Sequence, residues 1–142
     1  MFSPAKKVVA SGDAIIGFLP NLNDGYPRPW PVTIDSVAAW KFDNIIAGHG
    51  PVQNGRYRMG QFRNYIEDLT ARVERAKKAG TPLADLQKAI TPRTLVTLQN
   101  GDFGSYVADN LTKYTVYLGN RTPLEERLSA NIAAIYNNLD RT

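Results

Sequence analysis

The pattern of apolar positions changes character near residue 55. Before that point, two short apolar runs, residues 8–10 and 45–47, are typical of β-strands, and each leads into a turn that contains glycine. Between them, Ile34, Val37 and Ala38 recur at helical spacing. Residues 1–55 therefore predict the order strand, loop, helix, strand and loop.

From residue 56 onward the pattern is helical. Asp68 precedes Arg72, and Glu74 precedes Lys78, each at the i,i+4 spacing that stabilises an exposed helix face. Gly80 predicts the end of this helix. The opposite face carries an apolar stripe with spacings of three and four: Met59, Phe62, Ile66, Leu69, Val73 and Ala76.

Two further helix starts are predicted in this part of the chain. We expect Thr81 to cap a second helix with Pro82 at its first helical position. Thr122 and Glu125 have the spacing of a capping box that begins the last helix. We interpret the apolar stripe of that helix as a core face: Leu124, Leu128, Ile132, Ile135 and Leu139.

Composition narrows the class of protein. The 142 residues, 43% hydrophobic and 21% charged, are typical of one globular domain, 1–142, with a strand-containing part and a helical part, 56–142. The absence of cysteine excludes disulfides, thiolate zinc sites and cysteine nucleophiles. Apolar runs are too short for a membrane span, and basic residues are interspersed with acidic ones. We therefore expect neither a membrane nor a nucleic-acid partner.

Two turns carry residues with metal-binding chemistry. Asp13 follows Gly12, and His49 lies between Gly48 and Gly50. If the two predicted strands are parallel neighbours, both side chains leave the sheet at the same edge. A carboxylate and an imidazole at one place suit a divalent metal such as zinc. Each residue also fits ordinary turn chemistry, so the spacing leaves both interpretations open.

Residues 4–13 resemble the strand and Gly-Asp turn of the metallo-β-lactamase fold. Residues 47–52, Ala-Gly-His-Gly-Pro-Val, resemble the closing PGHGP turn of that superfamily, with Ala47 in place of its first proline. Parts of residues 17–30 are similar to the segment that joins these motifs in hydrolase-like members. Parts of residues 130–139 are similar to their C-terminal helix.

The resemblance implies an α/β (α+β) fold that is half of an αββα sandwich, with few strands followed by a helix-rich C-terminal part. It implies a two-zinc centre in the complete fold. Asp13 would correspond to the carboxylate that bridges the metals, and His49 to the last histidine of the second metal. A metal-bound hydroxide is then the nucleophile.

The family's H-x-H-x-D-H motif is absent, because His49 is the one histidine of the chain. Only three residues precede the turn at residues 4–7, so the strand that would pair with Val8 and Val9 is almost wholly missing. We therefore expect the C-terminal half of a zinc-dependent hydrolase that begins inside a hairpin. With two protein ligands, where catalytic zinc usually has three, the isolated chain is expected to have no tight zinc site and to be inactive.

Two alternatives remain beside this interpretation: a non-catalytic pseudoenzyme or self-associating interaction module, and an unrelated helical binding domain with coincidental motifs. The expected partner is a second copy of the chain or the missing N-terminal half-domain. The loop of residues 21–30 is expected near the mouth of the site, where Asn23, Asp24 and Tyr26 contact substrate, whereas Trp30 has a structural role. The sequence does not identify the substrate. The expected compartment is the cytoplasm by default, or the periplasm if the missing half carries a signal peptide.

Overall fold

The chain has an α+β fold in which a small sheet is followed by a helical part, and this confirms the predicted fold class. The computed structural model describes residues 1–114 and 123–139. The strands of one sheet, in spatial order, are β1 (Phe2–Ser3), β2 (Val8–Gly12), β3 (Asn44–Ala47) and β4 (Gln53–Asn54). The helices are α1 (Trp30–Ala38), α2 (Tyr57–Lys78), α3 (Leu83–Ala89), α4 (Val96–Gln99), α5 (Phe103–Tyr114) and α6 (Pro123–Asn138).

The centre of the sheet is the parallel pair β2 and β3, which α1 connects. Val9 pairs with Ile45, and Ala10 pairs with Ile46. The next pair along is Gly12 with Ala47, so Ser11 is an extra residue that makes a β-bulge. The predicted strand-helix-strand order is confirmed, and both strands end at the same edge of the sheet.

The predicted hairpin at the N-terminus is present, but two expectations about it are wrong. Phe2 and Ser3 form a short strand that pairs antiparallel with Val9 and Val8, so a partner strand exists. The sheet accordingly has four strands among the described residues, two more than the predicted order contains. Two-residue strands such as β1 and β4 carry too little alternation to be recognised in a sequence.

Helix α2 follows the predicted pattern. The five positions of its stripe from Met59 to Val73 are buried, and the Asp68–Arg72 and Glu74–Lys78 pairs form at 3.2 and 3.0 Å. The helix ends in a Schellman motif, since Gly80 N donates to Lys77 O and Thr81 N donates to Ala76 O, both at 3.0 Å.

The start predicted for the next helix is wrong by one residue. Pro82 has an extended ψ of 145° and is itself the N-cap of α3, with no side-chain cap hydrogen bond. Thr81 does not cap α3, because it belongs to the turn that closes α2. In α6 the buried stripe is confirmed at Leu128, Ile132 and Ile135. The capping box with Thr122 lies outside the described residues.

One hydrophobic core joins the sheet to the helices and includes Val9 and Ile45 on one face of the sheet. Val8, Ala10, Asn44 and Ile46 alternate with these residues and form the other face, which we call the open face. Ile46 is 50% exposed there. Among the residues that the structure describes, no helix has both the length and the apolar character needed to cross a lipid bilayer.

Candidate metal centre

Asp13 and His49 meet at the edge where the two parallel strands end. Asp13 directly follows β2, and His49 lies two residues beyond β3. Asp13 Oδ1 is 3.4 Å from His49 Nε2. The side chains are 78% and 61% exposed, respectively, so their donor atoms are open to a ligand from solvent. The pair that the sequence singled out is thus brought together, while zinc binding by it stays a prediction.

The Gly12–Asp13 turn is held by local hydrogen bonds. Gly12 has a φ of +56°, in the left-handed region that favours glycine, and this reverses the chain directly after β2. Ser11 Oγ donates to the carbonyl of Ile15 at 3.2 Å, and Ile15 N donates to Gly12 O at 3.4 Å. These bonds fix the direction in which Asp13 leaves the sheet.

Gly48 brings the two turns into contact. Its backbone N–H donates to Gly12 O at 2.9 Å and to Ile15 O at 3.1 Å. A Cβ added at Gly48 would lie 2.6 Å from the carbonyl carbon of Gly12 and would overlap Asp13 Oδ1. A side chain at position 48 therefore cannot coexist with this position of the Asp13 carboxylate.

The backbone of His49 is fixed from the other side. Its carbonyl accepts a 2.7 Å hydrogen bond from Gly17 N. Gly50 has a φ of +93°, and a Cβ added there would lie 2.8 Å from Gly17 Cα. The Phe18 ring lies 6.1 Å from the imidazole, centroid to centroid. The His49 turn is therefore packed against the segment that follows Asp13.

Two cavities open beside the pair and share Asp13 and Trp30. The first, the polar cavity, has a volume of about 340 Å³ and is lined by Asp13, Ile16, Phe18, Pro20, Asn21, Trp30, His49, Tyr114 and Arg127. The second, the apolar cavity, has a volume of about 430 Å³ and is lined by Asp13, Ala14, Gly25, Tyr26, Pro29, Trp30 and Thr33. Both volumes are in the range that small-molecule sites occupy.

One of the three residues predicted to contact substrate lines a cavity, and the other two do not. Tyr26 lines the apolar cavity, but Asn23 and Asp24 line neither cavity. The carbonyl of Asn23 accepts a hydrogen bond from Asn138 Nδ2 at 3.3 Å, which ties the loop to α6. Contact of these three residues with substrate stays a prediction.

The contacts of Trp30 agree with the structural role expected for it. Its indole Nε1 donates to Ala14 O at 2.9 Å, and its ring meets Phe62 edge-on at 6.2 Å. A Cβ added at Gly25 would lie 2.8 Å from the Trp30 ring. The ring therefore anchors the loop, and it also forms a wall common to both cavities.

Sequence reasoning did not assign Phe18, Tyr114 or Arg127 to the site, although all three line the polar cavity. They come from a loop, from the end of α5 and from α6, and no local pattern connects them. Arg127 lies four residues before Asn131 on α6. Asn131 is only 1% exposed, and a helical position one turn away is therefore directed towards the interior.

A buried hydrogen-bond network joins the site loop to the helical core. Asn131 Oδ1 accepts from Leu22 N at 3.2 Å, and Asn131 Nδ2 donates to Tyr65 Oη at 2.9 Å. Burial of the Tyr65 hydroxyl raises its pKa, with Asn131 opposing the shift, so this group is a neutral phenol at physiological pH. The network fixes the loop that separates Asp13 from Trp30.

Among residues 1–114 and 123–139, no group of three or more His, Cys, Asp or Glu side chains is placed to hold a metal ion. Within the described part of the chain, Asp13 and His49 are therefore two candidate ligands without a third such side chain beside them. Comparison of the chain with protein-family models, with curated proteins and with solved structures gives no match.

Proposed function

We propose that this chain is the C-terminal portion of a metallo-β-lactamase-like, zinc-dependent hydrolase and is inactive on its own. The observation that carries the proposal is the meeting of Asp13 and His49 at the carboxyl ends of adjacent parallel strands. The glycines around them support it, because Gly48 leaves no room for a side chain where the Asp13 carboxylate lies. Plain turn chemistry does not require this contact between two separate turns.

The spacing of the two donor atoms fits zinc. Ligand atoms bound at about 2.0–2.1 Å to a tetrahedral Zn²⁺ are about 3.3–3.4 Å from each other. Asp13 Oδ1 and His49 Nε2 are 3.4 Å apart. The distance between the two atoms is therefore compatible with their binding one zinc ion. Bound there, zinc would supply an activated water and a Lewis acid.

Two protein ligands are fewer than the three of a usual catalytic zinc site. The additional ligands are expected from an N-terminal half-domain with the H-x-H-x-D-H motif. The open face of the sheet supports this expectation. This face carries the apolar Val8, Ala10 and Ile46 beside the polar Asn44, and it leads along β2 and β3 towards Asp13 and His49.

Zinc titration followed by NMR tests the ligand pair. The chain has one histidine, so its imidazole signals are unambiguous. Zinc should shift them in a saturable manner, and Asp13→Asn should weaken the binding about tenfold or more. Asp43→Asn is the matched control, because this carboxylate pairs with Lys7 at the opposite edge of the sheet. Imidazole signals that do not move, or that move equally in the Asp13 variant, would contradict the proposal.

A turnover assay tests the incomplete ligand set. The pure zinc-loaded chain should hydrolyse thioester, lactam and phosphodiester substrates no faster than zinc in buffer. Addition of a half-domain with the H-x-H-x-D-H motif should produce hydrolysis that Asp13→Asn removes. Turnover by the chain alone would show that its ligand set is sufficient.

The open face also favours a second candidate, a non-catalytic module that associates with its own copies. Ile46 is an apolar residue of this face and is 50% exposed. Sedimentation velocity should show an oligomer that Ile46→Lys dissociates. Val96→Lys is the control, because Val96 is exposed on α4. An oligomer whose His49 signals ignore zinc would favour this candidate over the first, and a monodisperse monomer would exclude it.

A further inference from the structure

The apolar cavity is built by the loop that leads into α1. Gly25 N donates to Leu22 O at 3.2 Å. Trp30 N donates to Tyr26 O, also at 3.2 Å. These two turns bring Tyr26 and Trp30 to the same cavity, and Asn131 Oδ1 fixes the start of the loop through Leu22 N. A wall that is fixed before a ligand arrives loses little conformational entropy on binding.

Trp30 supplies a fixed aromatic surface. Its Nε1 donates to Ala14 O at 2.9 Å, and its ring meets Phe62 edge-on at 6.2 Å. A Cβ added at Gly25 would lie 2.8 Å from the ring, so the ring lies directly against the backbone of Gly25. Contact on these sides holds the indole where it lines the cavity.

The rest of the wall is mostly small or apolar. Tyr26 is 52% exposed, so its ring is open to contact. Among the described residues of the wall, Asp13 is the one charged group. An apolar group that covers such a surface releases water favourably. The other wall residues are Ala14, Gly25, Pro29 and Thr33.

The size of the cavity limits the ligand to a small group. About 430 Å³ lies in the range of small-molecule sites, and benzene fills a closed protein cavity of about 150 Å³. There is therefore room for one ring or two fused rings. The Tyr26 and Trp30 rings favour a flat occupant, because aromatic pairs gain from stacked and edge-on contact.

The apolar cavity also adjoins the metal pair. Asp13 belongs to its wall, and Asp13 Oδ1 lies 3.4 Å from His49 Nε2. In the proposed zinc site this carboxylate binds the metal. Recognition of a ligand in the cavity therefore depends on the apolar wall rather than on charge.

We propose that the apolar cavity binds a flat, neutral, apolar group of the substrate, of the size of a phenyl or naphthyl ring, while the hydrolysable bond lies at Asp13 and His49. In naming the substrate class as carbonyl or phosphoryl compounds that carry an aryl group, the inference rests on the proposed function. Binding of the ring itself needs no metal, because the apolar wall supplies the contacts. Tyr26 and Trp30 are then specificity-determining residues.

The NMR signals of the tryptophan indole N–H groups measure this binding. The chain has two tryptophans, and Trp40 stacks on Phe2 and does not line the cavity, so Trp40→Phe assigns the Trp30 signal. Benzene in the presence of EDTA should shift this signal in a saturable manner, with a dissociation constant on the order of 1 mM. Pyrazine has the same size and planarity but is strongly hydrated, so it should bind at least about tenfold more weakly. Equal affinity for the two rings, or a Trp30 signal that neither ring moves, would overturn the inference.

Two variants of the wall locate the bound ring. Thr33→Phe places a ring in the cavity and should weaken benzene binding about tenfold or more, and Tyr26→Ala should weaken it by removing part of the wall. Ser36→Phe is the control for Thr33→Phe and should bind benzene as the parent does. Ser36 is exposed on α1 outside the wall, and both hydroxyls donate to the carbonyl four residues earlier. Parental affinity in both wall variants would overturn the inference.

Zinc separates this inference from the proposed function. A substrate must occupy the cavity and the metal pair together, so excess zinc, followed at the His49 signals, should change benzene affinity by less than about threefold. Displacement of benzene by zinc, or zinc shifts without benzene binding, would overturn the inference and leave the proposed function. Benzene binding in a chain that ignores zinc would remove the hydrolase and the substrate class with it. An oligomer that benzene dissociates in sedimentation velocity would make a second copy the occupant and overturn the inference.

Discussion

Replacement of Gly48 by alanine tests the contact that places Asp13 beside His49. The new Cβ would lie 2.6 Å from Gly12 C and 2.8 Å from Asp13 N, whereas ordinary contact begins at 3.4 Å. The end of β2 and the turn after β3 must therefore separate by about 0.8 Å. The Asp13 carboxylate must move as well, because the Cβ would overlap Oδ1. Overpacking of this kind lowers the free energy of unfolding by about 1–3 kcal/mol.

We also expect Gly48→Ala to weaken zinc binding. Binding constellations tolerate errors of roughly 0.5 Å, and the required displacement exceeds that. The variant should therefore bind zinc at least about tenfold more weakly, measured by the His49 imidazole signals. Urea unfolding followed by far-UV circular dichroism measures the stability term in the same samples.

Gly60→Ala is the matched control for Gly48→Ala. Gly60 lies inside α2, and a Cβ added there meets nothing within 4 Å. Alanine should stabilise the protein at this position by about 0.5–1 kcal/mol, because glycine is unfavourable inside a helix. Zinc binding should not change. A Gly48→Ala variant with parental zinc affinity would refute the argument that this glycine exists to admit the carboxylate.

Two further predictions concern the scaffold. Asn131→Ala removes the partner of Tyr65 Oη and should lower the free energy of unfolding, measured in urea, by about 2–4 kcal/mol. The control Asn137→Ala, at an exposed position, should lower it by less than about 0.5 kcal/mol. Similar losses in the two variants would contradict the network. Asp102 receives hydrogen bonds from Arg58 at 2.9 and 2.7 Å, which lower its pKa from 3.8 to about 2. A lowered pKa in the folded protein adds stability above pH 3.8, and this stability is lost as the pH falls through about 2. The parent should therefore be more stable than Asp102→Asn above pH 3.8, and the difference in unfolding free energy should shrink between pH 3.8 and about 2. A difference that does not change with pH would contradict the prediction.

The convergence of Asp13 and His49 was predictable because it follows from local patterns. Each residue follows an apolar run within three positions and stands beside a glycine, and the helical spacing between the runs allows the two strands to be parallel neighbours. The parallel pairing of β2 and β3 then brings the two turns to one edge. The contact of Gly48 with the Asp13 carboxylate adds a detail that spacing alone does not contain.

The cavity wall was not predictable for the opposite reason. Phe18, Tyr114 and Arg127 are separated by long stretches of chain, and each belongs to a segment that looks ordinary by itself. Their proximity depends on how α5 and α6 pack, and on the anchoring of the loop by Asn131. The wrong prediction at Thr81 has a related cause, since the same threonine fits the start of one helix and the end of another.

A partner that covers the open face also comes close to Asp13 and His49. Ala10 precedes Asp13 by three residues, and Ile46 precedes His49 by three residues. At about 3.3 Å per residue, the centre of the open face is therefore about 10 Å from the candidate ligands. A sheet that covers this face extends to the same edge and can place its own side chains beside the pair. Ile46→Lys should consequently weaken both association and any hydrolysis restored by a half-domain, whereas loss of association alone would separate the two surfaces.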